Sequence, residues 1–320
     1  MLWYFGATKS RLLFVGNRQE FITSNFSMID NFLVYSQMKI GILIAAHSNE
    51  TQLRRLINVL KNDFEIFVHI DNKSNIPVDL FADDQNVHTI KLHKVYWGSI
   101  NQVKATLSLL DLAYSHSCDY YVFISGIDLP VKSNLEIIAE IKKNPQSIYM
   151  DYAELPRKDW NHEGGLDRFR LFYENMKNRN ELTFESLFWF LIRKLQKLLN
   201  LRRKLLPITY YGGMNWINFS KEVVAHILLY LKNNPEYLKR FERTLCCDEV
   251  FFQTLIMNSE FASKVVNNSK RYIEYDKGGP ENPRILRMKD YDKIIASDAW
   301  FARKFDDKID AAVIEKFLPN

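Results

Sequence analysis

The sequence predicts a mixed α/β fold in which a mainly parallel sheet is flanked by helices, with a less regular C-terminal half. Three observations predict it. From residue 38 to 151, short apolar runs rich in β-branched residues alternate with stretches of helical period. That order, strand then helix then strand, is the order of a parallel sheet with crossover helices. And 320 residues, 47% hydrophobic and 14% aromatic, suffice to bury one large core or two closely packed ones.

Taken in order, residues 1–37 show no sustained periodicity, so they are expected to be an N-terminal extension outside the core, with the folded unit, and the natural start of translation, expected at Met38. The opening Met1-Leu2-Trp3-Tyr4-Phe5 lacks the basic region and cleavage site of a signal peptide. Lys39–Ala46 reads as the first buried strand, and Glu50–Leu60 as a helix with Leu53, Leu56, Ile57 and Leu60 inward. Glu65–Ile70 is a second strand ending at Asp71, a position where open α/β sheets meet their ligands and where a turn aspartate is also common. Val87–Leu92 is a third, followed by a loop through Tyr96-Trp97-Gly98-Ser99 and a helix over Ile100–Tyr114. The strand Asp119–Ser125 runs into a sharp turn at Gly126-Ile127-Asp128-Leu129-Pro130, and Ser133-Asn134-Leu135-Glu136 is a capping box opening a helix to Lys142. Ser147–Asp151 closes this half as a strand.

The half from 152 to 320 is less regular. Leu187–Leu206 reads as a basic amphipathic helix carrying Arg193, Lys194, Lys197, Arg202, Arg203 and Lys204, a pattern that suits either an anionic membrane surface or a helix docked by its leucines. Tyr210–Phe219 reads as one strand whose Gly212-Gly213 pair permits close approach of backbone or ligand. Helices are expected over Lys221–Lys232 and Asp248–Asn258, then a strand at Arg271–Tyr275, a turn at Gly278-Gly279-Pro280, and two terminal helices flanking Ala302-Arg303-Lys304-Phe305. In the helix from Asp248, the aspartate reads as the N-cap and Glu249 as the first helical residue, at the edge of the face made by Phe251, Phe252, Leu255 and Ile256. A carboxylate fixed there suits a general base, and an acidic pair at a helix start is also ordinary capping.

The net charge of +5 fits an acidic small molecule or an anionic membrane surface and is too mild to argue for nucleic acid. Three cysteines, two of them adjacent at Cys246 and Cys247, form neither a metal spacing nor a disulfide framework, which points to a reducing compartment. No run reaches the roughly 18 apolar residues of a spanning helix. Dinucleotide-binding, P-loop, zinc-protease and serine-hydrolase motifs are absent. The literal Asp290-Tyr291-Asp292 is expected on the solvated face of a helix and not as a metal site.

In order along the chain, Val68-His69-Ile70-Asp71 with Lys73-Ser74-Asn75, Trp97-Gly98-Ser99, Ser125 to Asn134, Gly165-Leu166-Asp167-Arg168, Gly212-Gly213-Met214-Asn215-Trp216, Asp248-Glu249-Val250-Phe251-Phe252 and Phe301-Ala302-Arg303-Lys304-Phe305 form a pattern. It resembles the glycosyltransferase family of the core-2/I-branching β-1,6-N-acetylglucosaminyltransferases and peptide O-xylosyltransferases, from about Lys39 to Phe305. The resemblance implies a GT-A-like fold, with residues 38–151 as the nucleotide-sugar-binding half and 152–320 as the acceptor-binding and catalytic half. It implies inverting transfer of N-acetylglucosamine or xylose from a UDP donor to a glycan or glycoconjugate hydroxyl, with no metal and no other cofactor.

By that resemblance Glu249 is the base, and Arg303 and Lys304 meet the diphosphate charge, with Arg284 a weaker candidate. Asp71 sits by the uridine, Trp97 and Gly98 border the donor, and Asp128 lies near its sugar. Gly213, Asn215 and Trp216 meet the acceptor or the transferred sugar. Asn215 stands where the xylosyltransferase branch has an acidic residue, which argues against a peptide serine as acceptor, and the chain lacks the anchor and paired cysteines of the animal enzymes. A cytoplasmic location, at the inner face of a membrane, is therefore expected. Two other classes remain open on the sequence: a non-catalytic nucleotide-sugar or glycan-binding protein on the same fold, and a glycoside hydrolase pairing Asp128 with Glu249.

Overall fold

The computed structural model describes residues 38–173, 184–276 and 283–318. The extension expected over 1–37 and the turn expected at Gly278-Gly279-Pro280 lie outside the described residues.

Six consecutive elements build the first layer: β1 (Ile40–Ala46), α1 (Glu50–Leu60), β2 (Glu65–Ile70), β3 (Val87–Ile90), α2 (Ile100–Ser115) and β4 (Tyr120–Ser125). β1 pairs in parallel with both β2 and β4, and β3 extends the sheet beyond β2. Parallel strands are covered on both faces, so they read as continuous apolar runs, and β4 is buried along its whole length. The start of α1 is fixed by Asn49, whose side-chain oxygen accepts from the Gln52 N–H, and Leu53, Leu56, Ile57 and Leu60 are fully buried as the periodicity requires.

A short β5 (Leu129–Pro130) follows the turn after β4, and α3 (Asn134–Lys143) opens with the expected capping box, Ser133 Oγ accepting from Glu136 N–H and Glu136 Oε2 from Ser133 N–H. β6 (Ile148–Met150) and the two-residue β7 (Ala153–Glu154) lead to the single turns α4 (Asn161–Gly164) and α5 (Asp167–Arg170), and α6 (Phe184–Leu198) follows.

The strand expected over Tyr210–Phe219 is two pieces, β8 (Tyr211–Gly212) and β9 (Ile217–Ser220). Between them Gly213 passes so close to Asp151 that a Cβ there would lie 1.8 Å from the Asp151 carbonyl oxygen, and its N–H donates to the Glu249 carbonyl. That detour breaks the ladder. β9 inserts antiparallel between β4 and β6, and β10 (Val265–Asn267) closes the sheet beside β6, giving the order β10-β6-β9-β4-β1-β2-β3 with β9 alone reversed. The expected mixed, mainly parallel sheet is borne out.

The remaining helices are α7 (Lys221–Asn233), α8 (Pro235–Phe241), α9 (Phe251–Met257), α10 (Tyr291–Ile295) and α11 (Asp307–Phe317). β11 (Arg271–Ile273) and β12 (Phe301–Arg303) form a small second sheet with β5. The main core lies between the large sheet and α2, α7 and α9, with Phe67, Phe219, Phe241 and Phe251 fully enclosed, and a smaller one packs α11 against β5 and β12 through Leu129, Phe305 and Val313.

Candidate active site

The carboxyl ends of β1, β2 and β4 open into a cleft of about 480 Å³, where open parallel sheets bind ligands. Its floor is Ala45, Ala46, His69 and Ser125. One wall is Asp71, Lys73 and Trp97, and the other is Asn215, Trp216, Asp248, Glu249, Tyr275 and Arg303. The side chains expected at the two ends of the chemistry, Glu249 and Arg303, thus line one cavity.

Glu249 arrives by a route that differs from the expectation. Cys247–Glu249 is a 3-10 turn, and α9 begins only at Phe251, so Asp248 is not the N-cap of that helix and Glu249 is not its first residue. Backbone contacts hold the turn instead. Gly213 N–H donates to the Glu249 carbonyl at 2.9 Å, and Cys246 N–H donates to the Gly98 carbonyl at 2.9 Å. Gly98 has φ +71°, and a Cβ there would press on Cys246, so this glycine braces the turn that carries Glu249 and does not itself line the cleft. Gly213 plays the same part from the other side.

The Glu249 carboxylate accepts from Arg168 Nη1 at 2.6 Å, and the Arg168 guanidinium lies 4.0 Å from the centre of the Trp160 ring. Trp160 in turn is seated against Gly165 and Gly212, where any Cβ would strike its ring. Neither Arg168 nor Trp160 stood out as a functional residue. The Gly165-Leu166-Asp167-Arg168 run was the signal, since Gly165, at φ +92°, leaves room for Trp160 beneath the arginine. Asp248 points into the same wall with Oδ1 buried and unpartnered. Burial, and behind it the adjacent Glu249, push its carboxyl up to about 7, against backbone, Arg168 and Asn215 interactions that pull it down.

Opposite stands Arg303. Its guanidinium stacks 4.1 Å from the Trp216 ring, which itself stacks on Phe123 at 5.7 Å. Its Nε lies 3.8 Å from Asp128 Oδ1, and both atoms are buried with no hydrogen bond. Asp128 is fully buried and does not line the cleft. Its Oδ2 accepts from Ser125 N–H at 3.0 Å, and burial raises its carboxyl despite the Arg303 charge. The structure therefore moves Asp128 from the donor sugar to the back of Arg303, and it cannot pair with Glu249 across a glycosidic bond as a hydrolase would require.

Lys304 does not line the cleft, although its charge reaches His47 at the rim. There the imidazole is pushed down by desolvation, held up in part by Asp71, and pushed down further by Arg303, Lys73 and Lys304. Three cations thus converge on that end. Arg284 is elsewhere, locked by Asp290 at 2.7 and 2.8 Å and by Asp276 at 3.2 Å, so the structure withdraws it from the donor site. The same pairing overturns the reading of Asp290-Tyr291-Asp292 as a solvated face. Asp290 is buried on Arg284 and only Asp292 is exposed.

Asp71 is buried and acts as an anchor. Its Oδ1 accepts from Lys73 N–H at 2.9 Å and Val95 N–H at 3.2 Å, and Oδ2 pairs with Lys73 Nζ at 3.2 Å. Lys73, missed as a single residue, is thereby held at the cleft over the Tyr96 ring at 4.3 Å. Trp97 stands 52% exposed at the lip. Among the described residues the one group of side chains spaced to hold a metal, Glu65, His88 and His116, lies at the amino ends of the strands, away from the cleft, with Lys39 Nζ 3.1 Å from Glu65.

The parallel strand ends, a half-buried arginine and an arginine-held glutamate thus line one ligand cleft. The family model of the core-2/I-branching enzyme matches residues 43–294, and the chain belongs to that glycosyltransferase family. Its matched region ends before Arg303. Similar curated proteins include xylosyltransferase 2 of Rattus norvegicus and of Mus musculus, each 23% identical over 306 residues covering 87% of this chain. The β-glucuronosyltransferase GlcAT14B of Arabidopsis thaliana is 22% identical over 305 residues, 86% of this chain and 66% of its own. The chain spans about a third of the length of the xylosyltransferases it matches.

Proposed function

We propose that the protein is an inverting glycosyltransferase that moves a sugar, N-acetylglucosamine or xylose, from a UDP donor to a hydroxyl of a glycan or glycoconjugate, with Glu249 as base and without a divalent metal. The observation that carries this reading is that Glu249 and Arg303 line one cleft at the carboxyl ends of the parallel strands.

In the proposed step the acceptor O–H gives its proton to Glu249 as its oxygen bonds to the anomeric carbon. The bond from that carbon to the diphosphate breaks, and UDP leaves with the electron pair. Arg168 occupies one carboxylate oxygen and so aims the other at the incoming hydroxyl. The charge that grows on the diphosphate is met by Arg303, with Lys73 and Lys304 adding to the positive potential at that end. Trp97 offers a flat apolar face to a sugar ring, Trp216 backs Arg303, and Asp71 steadies Lys73 beside the nucleotide.

The deciding experiment is turnover of Glu249→Gln with UDP-N-acetylglucosamine and UDP-xylose in excess chelator. The isosteric amide is expected to lose transfer by about 10²- to 10⁴-fold while UDP affinity measured by calorimetry stays near the parent value. Full transfer by E249Q removes the base from the scheme, and parent activity that vanishes with chelator and returns with a divalent ion removes the claim of metal independence. Arg303→Ala is expected to weaken UDP about 10- to 100-fold, the range for a lost charge-assisted hydrogen bond, and to lower stability by leaving buried Asp128 without its countercharge, with Lys304→Ala weaker in its effect on UDP.

A further inference from the structure

Nine of the 20 exposed large apolar side chains among the described residues fall between positions 184 and 201, on α6 and the turn after it. Exposed apolar residues scattered singly are ordinary on a protein surface, but a contiguous patch marks a contact. Leu187, Phe188, Leu191, Leu195 and Leu198 recur at helical spacing, so they form one stripe, and each is between 46% and 81% exposed. The helix is fastened by its other side. Gln196 is buried, its Oε1 accepting from Phe172 N–H at 2.8 Å and its Nε2 donating to the Phe172 carbonyl, while Arg243 stacks on Trp189 at 5.2 Å. The leucines therefore do not dock the helix, and the stripe faces away from the body.

Charge selects the occupant. Between 184 and 204 the chain carries Arg193, Lys194, Lys197, Arg202, Arg203 and Lys204 against the single acid Glu185. Lys194, Lys197, Arg202 and Lys204 are exposed beside the stripe. A second copy docked face to face would set these cations against their own kind. An anionic bilayer takes both parts, the stripe in its acyl boundary and the cations among its headgroups. At 15 residues α6 is shorter than a spanning helix needs, and no helix among the described residues is long and apolar enough to cross a membrane. We propose that α6 lies in the plane of an anionic phospholipid surface and seats the protein there.

The test is co-sedimentation of the full chain, without substrates, with vesicles of phosphatidylcholine alone and of phosphatidylcholine mixed with phosphatidylglycerol. Binding to the mixed vesicles is expected to be at least ~10-fold tighter than to neutral ones and to weaken as salt rises. The double variant L191S/L195S is expected to lose sedimentation with either vesicle, and K194E/K197E to lose the preference for the anionic one, both keeping the parent circular dichroism and UDP affinity. Failure of the parent chain to bind mixed vesicles overturns the proposal. So does unchanged binding by L191S/L195S, and so does a concentration-dependent dimer that L191S/L195S dissolves without any vesicle binding. Because no sugar transfer enters the readout, its failure is separate from failure of the catalytic scheme.

Discussion

The parallel strands β4, β1 and β2 and the segment from Gly212 to Trp216 all reach the cleft, but they bring side chains to it by different means. The strands deliver His69 and Ser125 through a regular ladder in which each position follows from register, with Asp71 one residue past it, its N–H donating to the Ala46 carbonyl. The segment delivers Asn215 and Trp216 by abandoning its ladder, threading Gly213 between the Asp151 carbonyl and the Glu249 turn. The first region tolerates local change because many equivalent bonds share the load. The second depends on a few close approaches, and the groups proposed for the chemistry stand on it.

Glycine substitutions break that comparison most sharply. Gly213→Ala puts a methyl 1.8 Å from a backbone oxygen, which no side-chain rotation relieves, so a loss of more than about 3 kcal/mol or failure to fold is expected. Gly126→Ala, in the turn after β4, meets nothing closer than Leu53 Cδ1 at 3.4 Å and is expected to change stability by less than about 1 kcal/mol. Urea denaturation of both variants decides it. Equal losses would mean that the two regions are not built as differently as the contacts indicate.

Next in size is the hold on Glu249. Arg168→Ala removes the 2.6 Å partner of the carboxylate and the nearer of the two guanidinium groups on the Trp160 ring. A base swung out of line is expected to lower kcat about 10²-fold while leaving UDP affinity unchanged, and Arg168→Lys is expected to restore part of kcat. A merely structural arginine would instead lower the melting temperature with no such split between kcat and binding.

This division also explains what was legible in the sequence. Glu65–Ile70 and Glu50–Leu60 are found with the bounds their periodicity gives, because burial on a sheet face or a helix stripe writes itself into residue spacing. The placement of Glu249 was legible only as a motif. Its turn is fixed by the carbonyls of Gly98 and Cys246 and by the Gly213 N–H, and backbone hydrogen bonds between segments distant in sequence leave no period to read. The glycines themselves were visible, Gly212-Gly213 as a place for close approach of backbone or ligand and Gly98 as a border of the donor. At Gly213 the backbone approach is the one found, and Gly98 too is a site where chain passes chain. Arg284 misled for a related reason, since a cation near a predicted site carries no mark of the buried Asp290 that already holds it.

The smallest effect tests the regular region alone. His69 is 1% exposed at the end of β2, and its Nε2 accepts the His93 N–H at 3.2 Å. A proton on Nε2 would set two donors against each other. Burial, reinforced by His93 and opposed by Asp71, pushes the imidazole down to about 4 from an ordinary 6.5. A depressed folded-state value means that the unfolded chain takes up the proton first. The contribution to stability is therefore complete above about 6.5 and is lost as pH falls toward 4. By about pH 5.5 the loss from this one group is on the order of 1 kcal/mol, from 1.36 kcal/mol per unit. His69→Gln removes the titration, so its stability is expected to fall less than the parent's between about pH 7.5 and about pH 5.5, by that amount, with His47, His93 and His116 adding to the slope that remains and Asp248, whose carboxyl is pushed up to about 7, opposing it. Identical pH slopes in urea denaturation of the parent and H69Q would show that the ladder end absorbs a proton without strain, and the regular region would then be more forgiving than its buried histidine implies.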